Sequence, residues 1–369
     1  MAAEPLVGAS VLAEDGVDTP ALLVDLDRLD ANIARIAGAC RAHGIVWRPH
    51  IKGIKTPAIV ERLLAAGARG VTCAKLGEAE VMAAAGLRDI LIANQIVGPQ
   101  KIARLVALRR QADVAVAVDD PANVAELAAA ARRGGVELRL VIETDIGIRR
   151  AGVAAPEACL ALARRIAAED GVSFAGVMGW EGHAAPMTDL DQKAAAVAAA
   201  VRELVAGAER CRAAGLPVAI VSCGGTGTYW LSAAQPGVTE IQAGGGVFSD
   251  VHYQLDFGVD HPCALTVVST VTSRPNPRRI VCDAGFKTMS RDVSLPRPLR
   301  VAEVASVRLS AEHSTIELAA PSTTPRLGER LEFDVGYSDS TVPLHDVIHA
   351  VRGGRLQASW PILGRGKLQ

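Results

Sequence analysis

Between Ile45 and Lys52 the chain reads Ile45-Val46-Trp47-Arg48-Pro49-His50-Ile51-Lys52, an apolar run that turns into residues able to do chemistry. Ile45, Val46 and Trp47 have strand propensity. Side chains alternate along a strand, so Arg48, His50 and Lys52 are expected on one face. Groups of like charge repel there unless an anion lies among them. A partly desolvated lysine in such company becomes a usable amine nucleophile. Solvated basic residues at a strand end would show the same pattern, so the remaining residues have to decide. Two glycine clusters come next, Ser222-Cys223-Gly224-Gly225-Thr226-Gly227-Thr228 and Gln242-Ala243-Gly244-Gly245-Gly246. Glycine lets backbone N–H groups approach a phosphate closely. Neither cluster carries the Gly-Lys-Ser/Thr of a nucleotide P-loop.

These residues need a frame. Short β-rich runs are expected at Ile45–His50, Gly70–Cys73, Ile90–Ala93, Val114–Val118, Leu138–Glu143, Val172–Met178, Val218–Ser222 and Val238–Gln242. Helices with apolar residues at 3.6 spacing alternate with them: Pro57–Ala66, Gly77–Ala85, Pro99–Arg110, Pro121–Arg133, Pro156–Ala168, Leu190–Ala214 and Thr228–Ala234. Eight β-α steps point to an α/β fold, a (β/α)8 TIM-type barrel, over a doubly wound sheet, because no Gly-x-Gly-x-x-Gly follows an early strand. From His261 onward helical spacing gives way to short β-branched runs, the pattern of an antiparallel β domain. The expected organisation is an N-terminal strand in 1–19 (Leu6-Val7, Val11-Leu12) packing on the β domain, a barrel over 20–258, and the β domain over 259–369.

Barrel chemistry gathers at the C-terminal ends of the strands, and the loops after strands seven and eight commonly hold a phosphate. The two glycine clusters stand in those places and Lys52 ends strand one. A phosphorylated aldehyde spanning them is pyridoxal 5′-phosphate, joined to Lys52 as a Schiff base and acting as an electron sink.

Composition removes other classes. With 39 Lys+Arg against 40 Asp+Glu among 369 residues, no basic tract points to nucleic acid or an anionic membrane. Charges interrupt every apolar stretch before spanning length, and the N-terminus lacks signal-peptide regions. Seven scattered cysteines without a Cys-x-x-Cys pair fit reduced thiols, hence a cytoplasmic location.

Further motifs add a resemblance. Asp18-Thr19-Pro20-Ala21, Lys75-Leu76-Gly77-Glu78-Ala79-Glu80, Ile92-Ala93-Asn94-Gln95, Asp145-Ile146-Gly147-Ile148-Arg149-Arg150-Ala151-Gly152-Val153, Glu181-Gly182-His183, Thr239-Glu240-Ile241-Gln242, Asp283-Ala284-Gly285 and Trp360-Pro361-Ile362-Leu363-Gly364-Arg365-Gly366 join those above in order. With them the chain resembles the D-threonine aldolase and D-serine dehydratase-like family of pyridoxal-phosphate enzymes, nearly end to end. The resemblance implies the alanine racemase-type fold, a homodimer, and a small amino-acid substrate. It implies that Lys52 is the Schiff-base lysine and the base at Cα, that Arg150 lies near the cofactor's phenolic oxygen, and that His183 lies beside its ring. Glu181 is expected to reach the ring or a substrate amine. Gly224, Gly225, Thr226, Gly244 and Gly245 form the phosphate cup, and His50 and Gln242 complete the cofactor set.

The chain departs from the family in one region. Metal-dependent members carry, in the C-terminal domain, a histidine followed two residues later by Asp or Cys, and these hold a divalent ion on the substrate's β-hydroxyl. Here the acid is Asp339 but the histidine position is Tyr337. A neutral phenol is a poor ligand for Mg²⁺ or Mn²⁺, so the metal site is expected to be degenerate, with Asp339 its one remaining ligand. His313 and His345 could substitute only if the fold brings them close. Gly53-Ile54-Lys55 also stands where members often read Thr-His-Lys, and Trp180 and Gly245-Gly246 differ too. The expected activity is therefore lyase chemistry on a D-configured or β-hydroxy amino acid, cleaving Cα–Cβ with Lys52, His183, Tyr337 and Asp339 as the catalytic residues. The alternative is a metal-independent racemase or epimerase using Lys52 and Tyr337 as opposed acid/base groups.

Overall fold

The computed structural model describes residues 16–369, and the strand expected near Leu6–Leu12 lies outside them. Two units divide the chain. One contains Arg35–Lys52, Ile59–Gly244 and Gly366–Gln369; the other contains residues 16–34, Gly53–Ala58 and Gly245–Arg365.

In order, the elements begin with β1 (Ala21–Asp25), α1 (Leu26–Ala42), β2 (Val46–Trp47), α2 (Pro57–Ala65), β3 (Val71–Cys73) and α3 (Leu76–Ala84). They continue with β4 (Asp89–Gln95), α4 (Pro99–Arg109), β5 (Asp113–Val118), α5 (Pro121–Gly134), β6 (Leu138–Asp145), β7 (Val153–Ala154), α6 (Glu157–Ala167) and β8 (Val172–Met178). Then come α7 (Leu190–Ala213), β9 (Ile220–Cys223), α8 (Tyr229–Ala233) and β10 (Glu240–Ile241).

The first unit is the barrel. Its parallel strands run β2-β10-β9-β8-β6-β5-β4-β3. A parallel bridge between His50 and Thr72 joins the chain beyond β2 to β3, so the ring closes. Helices cover the outer face and side chains fill the inside, so the strands are buried on both faces and read as unbroken apolar runs. Asp-Val-Ala-Val-Ala-Val of β5 is the clearest case. Aliphatic side chains of mixed size pack one buried cluster: Leu91, Ala115, Ala117, Val141, Ala175, Met178 and Ile220. Asp120 and Asp189 accept hydrogen bonds from the first amides of α5 and α7, stopping those helices from fraying into the preceding loops.

The second unit starts with β1 and resumes at the C-terminal side of the barrel sequence. It adds α9 (Val251–Leu255), β11 (Leu265–Asn276), β12 (Arg279–Cys282), β13 (Arg297–Pro298), β14 (Val304–Leu309), β15 (Ser314–Leu318), β16 (Arg330–Asp334), α10 (Ser338–Thr341), β17 (Val347–Arg352) and β18 (Arg355–Pro361). The sheet runs β14-β15-β12-β11-β1-β17-β18, with β16 pairing β11 and β13. All pairs are antiparallel except β1 with β17. This corrects the expected boundary at residue 20. The run Ala21–Asp25 is a strand, but it pairs Val268–Leu265 and His349–Val351 and so belongs to the β sheet. Its five residues are all buried, and such a run suits a central strand of either sheet. Likewise Gly245–Arg365 belong to the β unit, which begins earlier than the expected break at 258.

Candidate active site

Lys52 follows the barrel-closing bridge. Its backbone N–H donates to His50 Nδ1 at 3.3 Å, and the His50 amide donates to the Gln242 carbonyl at 2.8 Å. The lysine is thereby fixed at the C-terminal end of the first strand. Arg48 does not share its setting, contrary to the expected trio of basic groups. Arg48 is buried, its Nε donating to Glu240 at 2.8 Å and its Nη1 to Asp89 at 2.5 Å. Those two carboxylates begin β10 and β4, so the Arg48 charge is satisfied at the opposite ends of the strands.

Lys52 Nζ lies 5.9 Å from the centroid of the Trp180 ring, and the Arg150 guanidinium lies 5.4 Å from it. Both cations thus approach one indole, an attractive arrangement for the ring quadrupole. Arg150 also comes within 3.7 Å of Glu143, whose other oxygen accepts from Gln95 Nε2 at 2.6 Å. Burial pushes the Glu143 carboxyl up, opposed by Gln95 and Arg150. The loop carrying Arg150 is shaped by Asp145, whose Oδ1 accepts from the Gly147 and Arg149 amides at 3.0 Å each. Those amides hold its carboxyl below the usual range. Gly147, at φ +126°, lies against the His183 imidazole, which leaves no room for a side chain. His183 Nδ1 is buried and has no hydrogen-bond partner among the described residues.

The glycine loop after β9 is braced from behind. Glu181, fully buried, accepts from Thr228 Oγ1 at 2.5 Å, Ser232 Oγ at 2.6 Å and the Gly224 amide at 3.3 Å. Glu181 therefore does not reach toward a ring or a substrate amine; its oxygens are committed to the loop, which corrects the expectation. Gly224 needs its positive φ of +79°, and Thr226 is buried beside it. A Cβ on Gly225 would meet Trp180 Nε1 at 2.6 Å, and one on Gly244 would run into the His50 carbonyl. Gln242 Nε2 donates to Ser222 Oγ at 2.9 Å, which in turn donates to Glu240 at 2.8 Å.

In the β unit, Tyr337 donates its hydroxyl to Asp339 Oδ2 at 2.8 Å. Burial first, and then the Asp339 carboxylate, pushes the phenol well above its ordinary range. A Cβ on Gly53, the residue after Lys52 in the chain, would collide with the Asp339 carboxylate. Gly53 is thus a space requirement. The Tyr253 hydroxyl occupies the place a side chain at Gly245 would need.

Residues 24–251 match the family described as alanine racemase, N-terminal domain, and residues 264–351 match a serine dehydratase domain. A D-threonine aldolase from Arthrobacter sp. is 33% identical over 353 residues, covering 95% of this chain and 93% of its own. The chain belongs to the D-threonine aldolase and D-serine dehydratase-like family. A 3-hydroxy-D-aspartate aldolase from Paracoccus denitrificans is also 33% identical, over 96% of this chain and 94% of the relative. The crystal structure of a D-threonine aldolase from Filomicrobium marinum superposes with a TM-score of 0.92 at 33% identity, covering 96% and 97% of the two chains. An alanine racemase from Clostridium difficile, 12% identical at a TM-score of 0.73, shares the fold. The family's relatives are thus aldolases and dehydratases, and the alanine racemase fold implies pyridoxal phosphate.

The barrel residues fit that cofactor. An amine, a guanidinium and an imidazole match an aldehyde, a phenolic oxygen and an aromatic ring, and the buried glycine loop after β9, braced by Glu181, suits a phosphate. A divalent metal fits this family member poorly. Of the pair expected to hold one, Tyr337 is a neutral phenol and a poor ligand, which leaves Asp339. Asp339 instead accepts a hydrogen bond from the Tyr337 hydroxyl. His345 Nε2 lies 2.9 Å from the Thr288 carbonyl, and His313 is exposed in the turn between β14 and β15.

Sequence reasoning assigns no site role to Gln95, which it meets only in a family motif, or to Glu143, Tyr253 and the buried Asp250. Gln95 and Glu143 have a readable signal, since both are polar residues at the ends of apolar barrel strands. Asp250 and Tyr253 have none. Asp250 matters through its contact with Ser338, 88 residues away in the chain, and Tyr253 through its packing on Tyr337.

Proposed function

We propose that the chain is a pyridoxal-phosphate-dependent lyase that cleaves Cα–Cβ of a D-configured β-hydroxy amino acid without a divalent metal. The observation that carries this reading is the Tyr337–Asp339 hydrogen bond set against Gly53, next in sequence to Lys52. The cofactor, when bound, supplies an electron sink at Cα. Lys52 holds the cofactor's carbonyl carbon and later delivers a proton to Cα. Arg150 would keep the phenolic oxygen ionised, and the loops at Gly225–Thr226 and Gly244–Gly245 would hold the phosphate through backbone amides, the Gly224 amide being held by Glu181. His183, packed against Gly147, would lie beside the ring.

The β-hydroxyl needs a proton acceptor for the bond to break. Tyr337 oxygen takes that proton as its own passes to Asp339. The O–H bond of the substrate becomes a carbonyl, Cα–Cβ breaks, and its electron pair stays with Cα until Lys52 protonates it. The products are an aldehyde and glycine. The chain is expected to act as a homodimer, which light scattering of the loaded protein measures.

A second reading is racemisation, with Tyr337 as an acid opposite Lys52. The observation behind it is that a phenol, rather than an imidazole, is hydrogen-bonded to Asp339. One assay separates the two. The loaded protein is incubated with β-hydroxy-D-amino acids, with and without EDTA or added Mn²⁺. Aldehyde and glycine formed equally with EDTA support the lyase. Deuterium entering Cα with inversion, and no aldehyde, overturns it in favour of the racemase.

A further inference from the structure

We infer that Asp250, a buried carboxylate outside the reaction scheme above, is the positioning residue of the Tyr337–Asp339 pair. The inference rests on the acid–base role proposed for that pair. Asp250 precedes α9 and is fully buried. Its Oδ1 accepts from the Tyr253 amide at 2.8 Å, as a helix cap does. Its Oδ2 accepts from both the amide and the hydroxyl of Ser338, each at 2.8 Å. Ser338 stands between Tyr337 and Asp339. One carboxylate thus ties the start of α9 to the step in the chain that carries the acid–base pair.

Two backbone bonds flank this tie, Val251 N–H to the Val335 carbonyl at 3.1 Å and His252 N–H to the Gly336 carbonyl at 3.0 Å. The aromatic residues of α9 then box the phenol. The His252 ring lies 5.1 Å from the Tyr337 ring and the Tyr253 ring 6.0 Å from it, both edge-on. Held in this way, Tyr337 points its hydroxyl at Asp339. A cap serving the helix alone would need only the Tyr253 contact. The second oxygen, with two donors from Ser338, is what α9 itself does not require. Burial pushes the Asp250 carboxyl up to about 6, opposed by its donors from Tyr253 and Ser338, with the Asp339 charge adding to the rise.

The test is a double-mutant cycle on the full-length, pyridoxal-phosphate-loaded enzyme, with D250N, Y337F and the double variant. The amide introduced by D250N keeps one acceptor oxygen but sets an NH₂ group against the Ser338 donors. The expected result is a kcat lowered about tenfold or more in D250N, with KM and cofactor affinity close to wild type. In the Y337F background, D250N should add less than about twofold, because the residue it positions is already disabled. An equal loss in both backgrounds overturns the inference and leaves Asp250 a structural cap. Ser338→Ala, which removes only the hydroxyl donor, repeats the cycle on a milder scale if D250N folds poorly. Hydrogen–deuterium exchange reads the same tie without substrate. In D250N the segments 250–255 and 335–341 should both exchange faster, and unchanged exchange in 335–341 contradicts the tie. If the wild-type enzyme cleaves no β-hydroxy amino acid, the proposed reaction fails while the exchange result still decides what Asp250 holds.

Discussion

At the residue scale, the site depends on side chains that work by holding others. Glu181 is the plainest case. Its carboxylate accepts three hydrogen bonds from the loop after β9, and none of them can be replaced by water in a fully buried position. Glu181→Gln turns one acceptor oxygen into a donor facing other donors. It is expected to weaken pyridoxal-phosphate binding about 10- to 100-fold, on the order of 1.5–3 kcal/mol for a hydrogen bond to a charged group. Absorbance titration of the apoenzyme checks this, and turnover at saturating cofactor should change much less. Gly53→Ala makes the opposite point. Its Cβ would collide with the Asp339 carboxylate, so turnover should drop at least about tenfold while the cofactor still binds, since overpacking costs about 1–3 kcal/mol at the contact. Lys52 and the two glycine clusters are legible in the sequence by residue type and position, and Arg150 only through the family resemblance. Glu181 is not, because a glutamate two residues before His183 looks like a ligand, whereas its partners lie 43–51 residues later in the chain.

At the element scale the barrel is readable because each strand is a short apolar run and each helix repeats at 3.6 residues. The expected Ile45–His50 is regular only over Val46–Trp47, since Pro49 has no N–H to give a ladder. The chain nevertheless continues to the bridge at His50 that closes the ring. β1 is recognisable as a strand, but its sheet is not. Pairing is a long-range property, and a five-residue buried run does not encode its neighbours. β13 and β7, two residues each, are too short to carry any period. Arg48 shows how the closure is held. It bridges the beginnings of β4 and β10 with one side chain, 3% exposed. Removing one partner of a buried pair strands the other charges, so Arg48→Ala is expected to cost about 3–5 kcal/mol in denaturant unfolding. Arg48→Met should cost less only if Glu240 is changed to a neutral residue as well.

At the scale of the whole molecule, no described helix is long and apolar enough to cross a membrane. The buried acids set how stability responds to pH. Glu332 on β16 is 8% exposed, and burial pushes its carboxyl from 4.5 up to about 7. A carboxyl whose folded pKa is raised stabilises the protein fully below the unfolded value, and that contribution is lost as pH rises through the folded value. Glu332 therefore favours the folded state below about pH 4.5 and ceases to do so by about pH 7, a change on the order of 1–3 kcal/mol. Thermal unfolding of Glu332→Gln should show a shallower decline over that window than wild type. An unchanged slope would place the titration elsewhere.

Every role proposed for the barrel site depends on Lys52 holding the cofactor. Reduction of the pyridoxal-phosphate-loaded protein with borohydride, followed by peptide mapping, locates the pyridoxyl group directly. A single modified peptide containing Lys52 is expected, together with its loss in Lys52→Ala. A pyridoxyl group on Lys55, Lys75 or Lys193, or on no lysine at all, would contradict it.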